Sequence, residues 1–386
     1  MAALLGFLAG VVLLASGSAV AAAEPPSPAA LRACQATPRP DECLDGLFRP
    51  YLAGHSTTDA LRLIEQYSAE HADLRVGCHP IVHAVGRETF RVRGSVHAGF
   101  AACDGTCHSG CYHGVIERFL GPTSGGHVSH VDLERKVADV CRGDFEPFVK
   151  FQCVHGIGHA LLFFTGYQLD HALGVCDRMG DRRTQRICYG GVFMENLTAA
   201  TPEKRDVRGD DYHYPCSRLD RKYQPDCYLM QTSRMAEMGL WMDRMFVECA
   251  KAGRFRPQCM ISIGRDLSNH LRGGETEFVA RQCQWRPAGD RSACISGVVK
   301  AVIDNTWDLR FALPFCAALD QAEDRGHCLR TSVRYLVVNR KLSAADVIRQ
   351  CREYFPDGRT CAAVAVSTQA VGSGAVDRTR GATSSR

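Results

Sequence analysis

The sequence lacks several patterns that would assign a function directly. Its 386 residues contain no CxxC pair, which excludes the clustered-cysteine zinc modules common in cytosolic proteins. It has no GxSxG, and the segment HGIGH (residues 155–159) lacks the glutamate of a hydrolytic HExxH motif. A formal charge of +4, with no basic tract, argues against nucleic acid as a partner.

The first 23 residues carry no charged side chain. Their apolar centre and small final residues are typical of a secretory signal, which we expect to be cleaved near Ala23. Because no Lys or Arg precedes the apolar run, an uncleaved N-terminal membrane anchor is the alternative. No later run has the length of a transmembrane helix, so we expect a secreted or periplasmic protein with no transmembrane segment after the signal.

Cysteine, in contrast, is abundant. The chain has 20 cysteines, and in an exported protein we expect an even number of cysteines to form disulfides. From residue 141 onward they form seven pairs, each spanning about ten residues, and the pairs recur about every 34 residues. We predict that each disulfide joins the two members of a pair: Cys141 and Cys153, Cys176 and Cys188, Cys216 and Cys227, Cys249 and Cys259, Cys283 and Cys294, Cys316 and Cys328, and Cys351 and Cys361.

The period of these pairs indicates an αα-solenoid, in which each repeat is a helical hairpin that stacks on its neighbours. Residues 274–305 show the pattern: an amphipathic run, a turn with Pro, Gly and Asp, and a second apolar run. We therefore predict an all-α, disulfide-stapled αα-hairpin repeat solenoid, a right-handed-solenoid-like array of about eight or nine helix hairpins. Over residues 141–369 the chain resembles the secreted bacterial cysteine-rich αα-repeat proteins, relatives of the tetratricopeptide class. The resemblance implies this architecture and the binding of a protein or peptide partner.

Composition divides the chain into successive segments. They are a signal peptide (1–23), an N-terminal cap region (24–75), His-rich repeats (76–200), a charged loop (201–214), C-terminal disulfide-stapled repeats (215–369) and a disordered tail (370–386). In the cap region, Cys34 and Cys43 form a further pair. Alignment of the repeats favours a bridge between Cys103 and Cys111, which would leave Cys78 and Cys107, but the pairing of these four cysteines stays open.

Three segments of the His-rich repeats each place two ligand-type side chains four residues apart. Residues with this spacing share a helix face, and equivalent faces of stacked repeats lie about 9 Å apart. Disulfide formation removes thiolates as competitors, so imidazoles become the best available ligands. We predict a transition-metal site, Zn or Cu in preference to Fe, with the candidate ligands His79, His83, His113, Glu117, His155 and His159.

One alternative to a metal protein is a binding scaffold in which the histidines are structural. Six positions after the second cysteine of three successive repeats, the side chain is basic, as in Arg265, Lys300 and Arg334. This row would form a surface for a protein or acidic peptide partner.

Two further alternatives involve chemistry. A metal-dependent enzyme could use Glu117, Glu88 or Glu195 as a base, but no motif selects a substrate. The segment CDGTCHSGC contains a CxxxCH (Cys103–His108), one residue longer than the CxxCH that attaches haem covalently. A haem protein is therefore the third alternative.

Overall fold

The computed structural model describes residues 23–121, 130–143, 145–198, 204–340 and 342–355. Every regular element within those ranges is helical, which confirms the all-α prediction. The predicted signal peptide, apart from Ala23, and the predicted disordered tail lie outside the described residues.

The N-terminal half contains the helices that carry the predicted metal ligands. Its helices are α1 (Pro28–Gln35), α2 (Pro40–Gly54), α3 (Thr57–Glu70), α4 (Ala72–Val76), α5 (Cys78–Arg93), α6 (Val96–Phe100), α7 (Thr106–Leu120), α8 (His130–Val140), α9 (Pro147–Phe164), α10 (Leu169–Asp177) and α11 (Arg182–Thr198). Ser56 caps α3 with a capping box that also involves Asp59, a local sequence signal for a helix start.

The C-terminal half continues the same alternation of shorter and longer helices. Its α-helices are α12 (Gln224–Tyr228), α13 (Gln231–Glu237), α14 (Met242–Ala250), α15 (Arg256–Arg272), α16 (Thr276–Gln284), α17 (Ala288–Thr306), α18 (Ala312–Ala317), α19 (Ala322–Arg340) and α20 (Ala344–Arg352). Among the described residues, no helix is both long and apolar enough to cross a membrane.

Disulfides join the two halves of successive hairpins. From residue 141 the bonded pairs are Cys141–Cys153, Cys176–Cys188, Cys216–Cys227, Cys249–Cys259, Cys283–Cys294 and Cys316–Cys328. In the N-terminal region, Cys34 bonds Cys43, Cys78 bonds Cys107, and Cys103 bonds Cys111. The predicted bridge from Cys351 involves Cys361, which lies outside the described residues. The disulfide-stapled hairpin repeat is thus confirmed as the fold class.

The second helices of neighbouring hairpins pack closely along the array, α5 on α7, α9 on α11 and α15 on α17. Glycine makes the approach of α5 and α7 possible. A Cβ atom on Gly114 would lie 1.9 Å from the carbonyl oxygen of His83, and one on Gly86 would lie 2.0 Å from that of Cys111. Only hydrogen fits at these two positions, so the backbones that carry His83 and His113 meet directly.

The array also curls back on itself, because α17 packs on α7. The backbone N–H of His108 donates to the side-chain oxygen of Asn305 at 2.9 Å. The ring of Trp307 lies 4.9 Å from that of Phe148 and 6.0 Å from that of Tyr112. The C-terminal repeats are therefore in contact with the His-rich repeats, and residues of both line a central cavity.

Candidate metal centre

The five predicted histidines converge where α5, α7 and α9 pack together. The centroids of neighbouring rings are 4.5 Å apart for His79 and His83, 4.8 Å for His113 and His159, and 5.0 Å for His113 and His155. Within the described residues, His79, His83 and His159 form a group in which one ligand atom of each lies within 4.8 Å of the others. Three imidazoles from two helices can therefore close on one ion.

Each histidine of this group is oriented by a partner of its Nδ1 atom. His83 Nδ1 lies 2.6 Å from Glu117 Oε1, His159 Nδ1 lies 2.9 Å from Glu195 Oε2, and His79 Nδ1 lies 2.7 Å from the carbonyl oxygen of Cys107. Carboxylate and carbonyl oxygens accept hydrogen bonds, so each Nδ1 is the protonated nitrogen. The lone pair is then on Nε2, the arrangement that is usual for metal-ligating histidine.

The carbonyl of Cys107 reaches His79 because the chain is left-handed there. Cys107, His108 and Ser109 have φ values of 52°, 58° and 61°, a conformation that L-residues with a Cβ atom rarely adopt. The Cys78–Cys107 disulfide and the contacts of His108 with Asn305 hold this turn in place. Strained backbone of this kind persists only where its surroundings impose it.

The two Nε2 atoms of His79 and His83 lie 3.0 Å apart. With both Nδ1 atoms protonated and both rings neutral, two lone pairs face each other across this gap, and a metal ion bound by both nitrogens, or a proton shared between them, makes the contact favourable. Two nitrogen ligands of a tetrahedral Zn²⁺ at about 2.05 Å would lie roughly 3.3 Å apart. The observed separation is close to that value.

A further sign of a ligand is a buried nitrogen that has no partner. His159 Nε2 and His113 Nδ1 are both buried and accept or donate no hydrogen bond among the described residues. A buried polar atom without a partner is costly. His159 Nε2 belongs to the three-histidine group, so a metal would satisfy it.

Burial keeps four of the imidazoles neutral. Removal from water, together with the other histidines, lowers the pKa of His79, His113 and His159 well below the ordinary value of 6.5. Burial lowers the pKa of His155 to about 4. Neutral imidazole is the form that binds metal, so few protons compete with an ion at neutral pH.

The carboxylates behind the cluster differ in charge. Burial opposes the ionisation of Glu117, but His83 and Arg87 hold its pKa at about 2. Arg87 Nη1 donates to Glu117 Oε2 at 2.8 Å and also pairs with Asp41 and Asp45. Burial, with the nearby Glu117, raises the pKa of Glu195 to about 7, although Tyr167 donates to its Oε1 at 2.7 Å.

The predicted ligands thus divide into two sets. His79, His83 and His159 form the group that could hold an ion. Glu117 lies behind His83, so it positions a ligand instead of completing the group. His113 Nε2 donates to Gln152 Oε1 at 3.1 Å, and His155 faces the central cavity.

Of the other carboxylates proposed as a base, Glu195 lies at the cluster, whereas Glu88 is paired with Arg49 and Arg91. Sequence reasoning did not identify Arg87, Tyr167 or the Cys107 carbonyl as parts of the centre. Arg87 follows His83 by four residues, so the spacing used for the histidines would have placed it on the same helix face.

The covalent haem alternative is wrong for the oxidised protein. Cys103 and Cys107 of the CxxxCH segment are both in disulfides, with Cys111 and Cys78. Neither sulfur is free to form a thioether bond, and His108 contacts Asn305.

Two cavities border the histidine cluster. One, of about 500 Å³, is lined by His79, His83 and His159 and by acidic side chains that include Asp41 and Asp45. The other is the central cavity of about 630 Å³, lined by His155. An ion, and a molecule bound to it, could approach the three-histidine group through the first cavity.

The predicted basic row does not form one continuous surface. Arg265 and Lys300 line the central cavity, whereas Arg334 is exposed and is not among its lining residues.

Comparison of the chain with protein-family models, curated proteins and solved structures found no match. The candidate function therefore rests on the chemistry of the chain itself.

Proposed function

We propose that this exported, disulfide-rich helical-repeat protein binds one transition-metal ion, Zn or Cu in preference to Fe, through His79, His83 and His159. The observation that carries the proposal is the 3.0 Å approach of His79 Nε2 and His83 Nε2 while both Nδ1 atoms face acceptors. The unpartnered, buried Nε2 of His159 supports it. Imidazole is a borderline ligand that suits Zn, Cu and Ni.

The hydrogen-bond acceptors of the three Nδ1 atoms favour a stably bound ion over a transiently bound one. Glu117 and Glu195 fix two of the rings and increase the basicity of their Nε2 atoms. The Cys107 carbonyl fixes the third ring through backbone that a disulfide holds. A site whose ligands are already oriented loses less conformational entropy on binding, so its affinity is higher.

A metal-dependent enzyme is the second candidate function, and the cavity of about 500 Å³ at the three histidines favours it. Three protein ligands leave a fourth position for water or substrate, whereas structural zinc sites are usually closed by four protein ligands. A bound Zn²⁺ would supply a water of lowered pKa at that position. Glu195 lies on the same cavity and could hold or accept a proton there.

The test is to measure metal content and affinity in the full-length, oxidised protein. We expect about one equivalent of Zn or Cu by elemental analysis after purification from an oxidising compartment. His83→Ala and His159→Ala should each lower the affinity for Zn²⁺ by at least tenfold in a competition titration with a chromophoric chelator. His270→Ala is the matched control, because His270 is exposed and its Nδ1 atom pairs with Glu275 on the surface.

Two results would contradict the proposal. One is a folded, fully oxidised protein that binds neither Zn²⁺ nor Cu²⁺ at micromolar concentration. The other is binding that His83→Ala, His159→Ala and His270→Ala reduce equally, because the ion would then be held elsewhere. Activity against a panel of ester and phosphoester substrates, with and without added Zn²⁺, would separate the enzyme from a binding protein.

A further inference from the structure

The central cavity has the size and composition of a small-molecule site. Its volume of about 630 Å³ is within the range of ligand pockets, which are mostly apolar with a few polar groups. It is lined by α7, α9 and α11 on one side and by α15, α17 and α19 on the other. The contact of α17 with α7 closes the array around it.

The cavity wall carries more positive than negative charge. Arg182, Arg183, Arg186, Arg265 and Lys300 line it, and the acidic lining residues are Asp226 and Asp304. Two of the cations already have partners. Arg186 Nη2 donates to Asp226 at 2.9 Å, and Arg265 Nη2 donates to Asp266 at 2.6 Å.

Lys300 is the cation that lacks a partner inside the cavity. The side chain is half-buried, and it makes no ion pair or hydrogen bond with any of the described residues. Asp304 lies one helical turn away but is engaged by Tyr335, whose hydroxyl donates to both of its oxygens at 2.9 and 3.0 Å. Burial also raises the pKa of Asp304 to about 7, so this carboxyl does not fully neutralise the ammonium group.

The mouth of the cavity adds two more cations. Arg182 and Arg183 are exposed at the start of α11 and form no ion pair with described residues. The remaining lining is mostly apolar, with side chains of Phe151, Ile187, Met194, Leu229, Met230 and Ile261. A half-buried ammonium beside an apolar wall matches a molecule that has an anionic head and an apolar body.

We propose that the central cavity binds an amphipathic carboxylate, with its head on Lys300 and its apolar body against the Leu229 and Ile261 side of the wall. Arg182 and Arg183 attract the anion to the mouth of the cavity. This site is separate from the metal centre and does not depend on it. His155, which lines the cavity, lies between the two sites, with its ring 5.2 Å from that of His159.

The test uses three probes of equal chain length with the full-length oxidised protein: decanoate, decanol and decyltrimethylammonium. Isothermal titration calorimetry at concentrations below micelle formation should show saturable binding of decanoate. We expect decanol to bind at least tenfold more weakly, because it lacks the charge, and the cationic probe not to bind. Addition of excess chelator should leave decanoate binding unchanged, since no metal takes part.

Substitutions in the cavity wall test whether decanoate binds in the central cavity. Lys300→Met keeps the length of the side chain and removes its charge, and we expect it to weaken decanoate binding at least tenfold with little effect on decanol. Lys204→Met is the matched control, because Lys204 is exposed and outside the cavity. Leu229→Trp should fill the apolar part and weaken both probes, with thermal unfolding used to verify that each variant is folded.

Three outcomes would overturn the proposal. They are the absence of saturable decanoate binding, equal affinities for decanoate and decanol, and equal effects of Lys300→Met and Lys204→Met on decanoate. Loss of decanoate binding on chelation would also contradict it, because the carboxylate would then be a ligand of the metal in the neighbouring site.

Discussion

His83 Nδ1 and Glu117 Oε1 lie 2.6 Å apart, and this pair connects the histidine cluster to a buried ionic network. The second oxygen of Glu117 accepts from Arg87, which in turn pairs with Asp41 and Asp45 of α2. Glu117 is therefore fixed at both oxygens. The ring of His83 can rotate little, so its Nε2 stays directed toward His79.

We predict that Glu117→Gln weakens the binding of Zn²⁺ by 10- to 100-fold, the range typical for loss of a carboxylate behind a ligating histidine. The amide oxygen is less basic than the carboxylate and favours the lone pair on Nε2 less strongly. A competition titration measures the effect. Glu70→Gln, on the exposed end of α3, should leave the affinity unchanged. If both variants bind Zn²⁺ like the native protein, Glu117 does not orient a ligand.

The repeat and its histidines were predictable from local spacing. Cysteine pairs with a fixed period identify hairpins, and a separation of four residues places His79 with His83, and His155 with His159, on common helix faces. Both patterns depend on the chain within one or two repeats. Helical periodicity therefore determines both patterns independently of the rest of the fold.

The remaining features depend on contacts between residues far apart in the sequence. The sequence analysis placed Glu117 among the metal ligands. Spacing indicates which helix face a side chain lies on, but it does not indicate which atom the side chain contacts. It also gave no sign that Asn305 would meet His108, 197 residues away. The row of Arg265, Lys300 and Arg334 was expected on one surface, yet curling of the array directs the first two into a cavity.

The close approach of α5 and α7 leads to a second prediction. Gly114→Ala should lower the free energy of unfolding by about 2–3 kcal/mol, because its Cβ would lie 1.9 Å from the carbonyl oxygen of His83. The displaced His83 should also bind Zn²⁺ more weakly. Urea unfolding and the same chelator competition measure the two effects.

Gly46→Ala is the control for Gly114→Ala, and we expect it to change the free energy of unfolding in the opposite direction. Gly46 lies inside α2, and a Cβ there has no atom within 4 Å. Alanine should stabilise the helix by about 0.5–1 kcal/mol. If Gly114→Ala is as stable as Gly46→Ala, the two helices do not cross as closely as described.

Closure of the array around the central cavity gives a third prediction. Trp307 packs on Phe148 and Tyr112, so Trp307→Ala should destabilise the protein by about 3 kcal/mol. Trp285→Ala should change stability little, because Trp285 is 74% exposed. Thermal unfolding distinguishes them. Equal stabilities of the two variants would mean that the C-terminal repeats do not rest on the His-rich repeats.

Asp304 gives a fourth prediction, about pH. Burial raises the pKa of Asp304 in the folded protein to about 7, above its ordinary value of 3.8. A group whose pKa is raised on folding contributes stability in its protonated form, so the contribution is complete below pH 3.8 and is lost as the pH rises through about 7. The full shift corresponds to roughly 4 kcal/mol. Since Asp304 faces the cavity and keeps some contact with water, we expect about 2 kcal/mol.

Asp304→Asn should remove this dependence, because the amide resembles the protonated carboxyl and can still accept a hydrogen bond from Tyr335. Relative to the native protein, the variant should gain about 1 kcal/mol of unfolding free energy between pH 5 and pH 8, the part of the total change that falls in this range. Urea unfolding at several pH values measures this difference, and subtraction cancels the titration of every other group. Asp210→Asn, at an exposed position outside the cavity, should show a constant difference. A constant difference for Asp304→Asn as well would mean that Asp304 ionises in the folded protein as easily as in the unfolded chain.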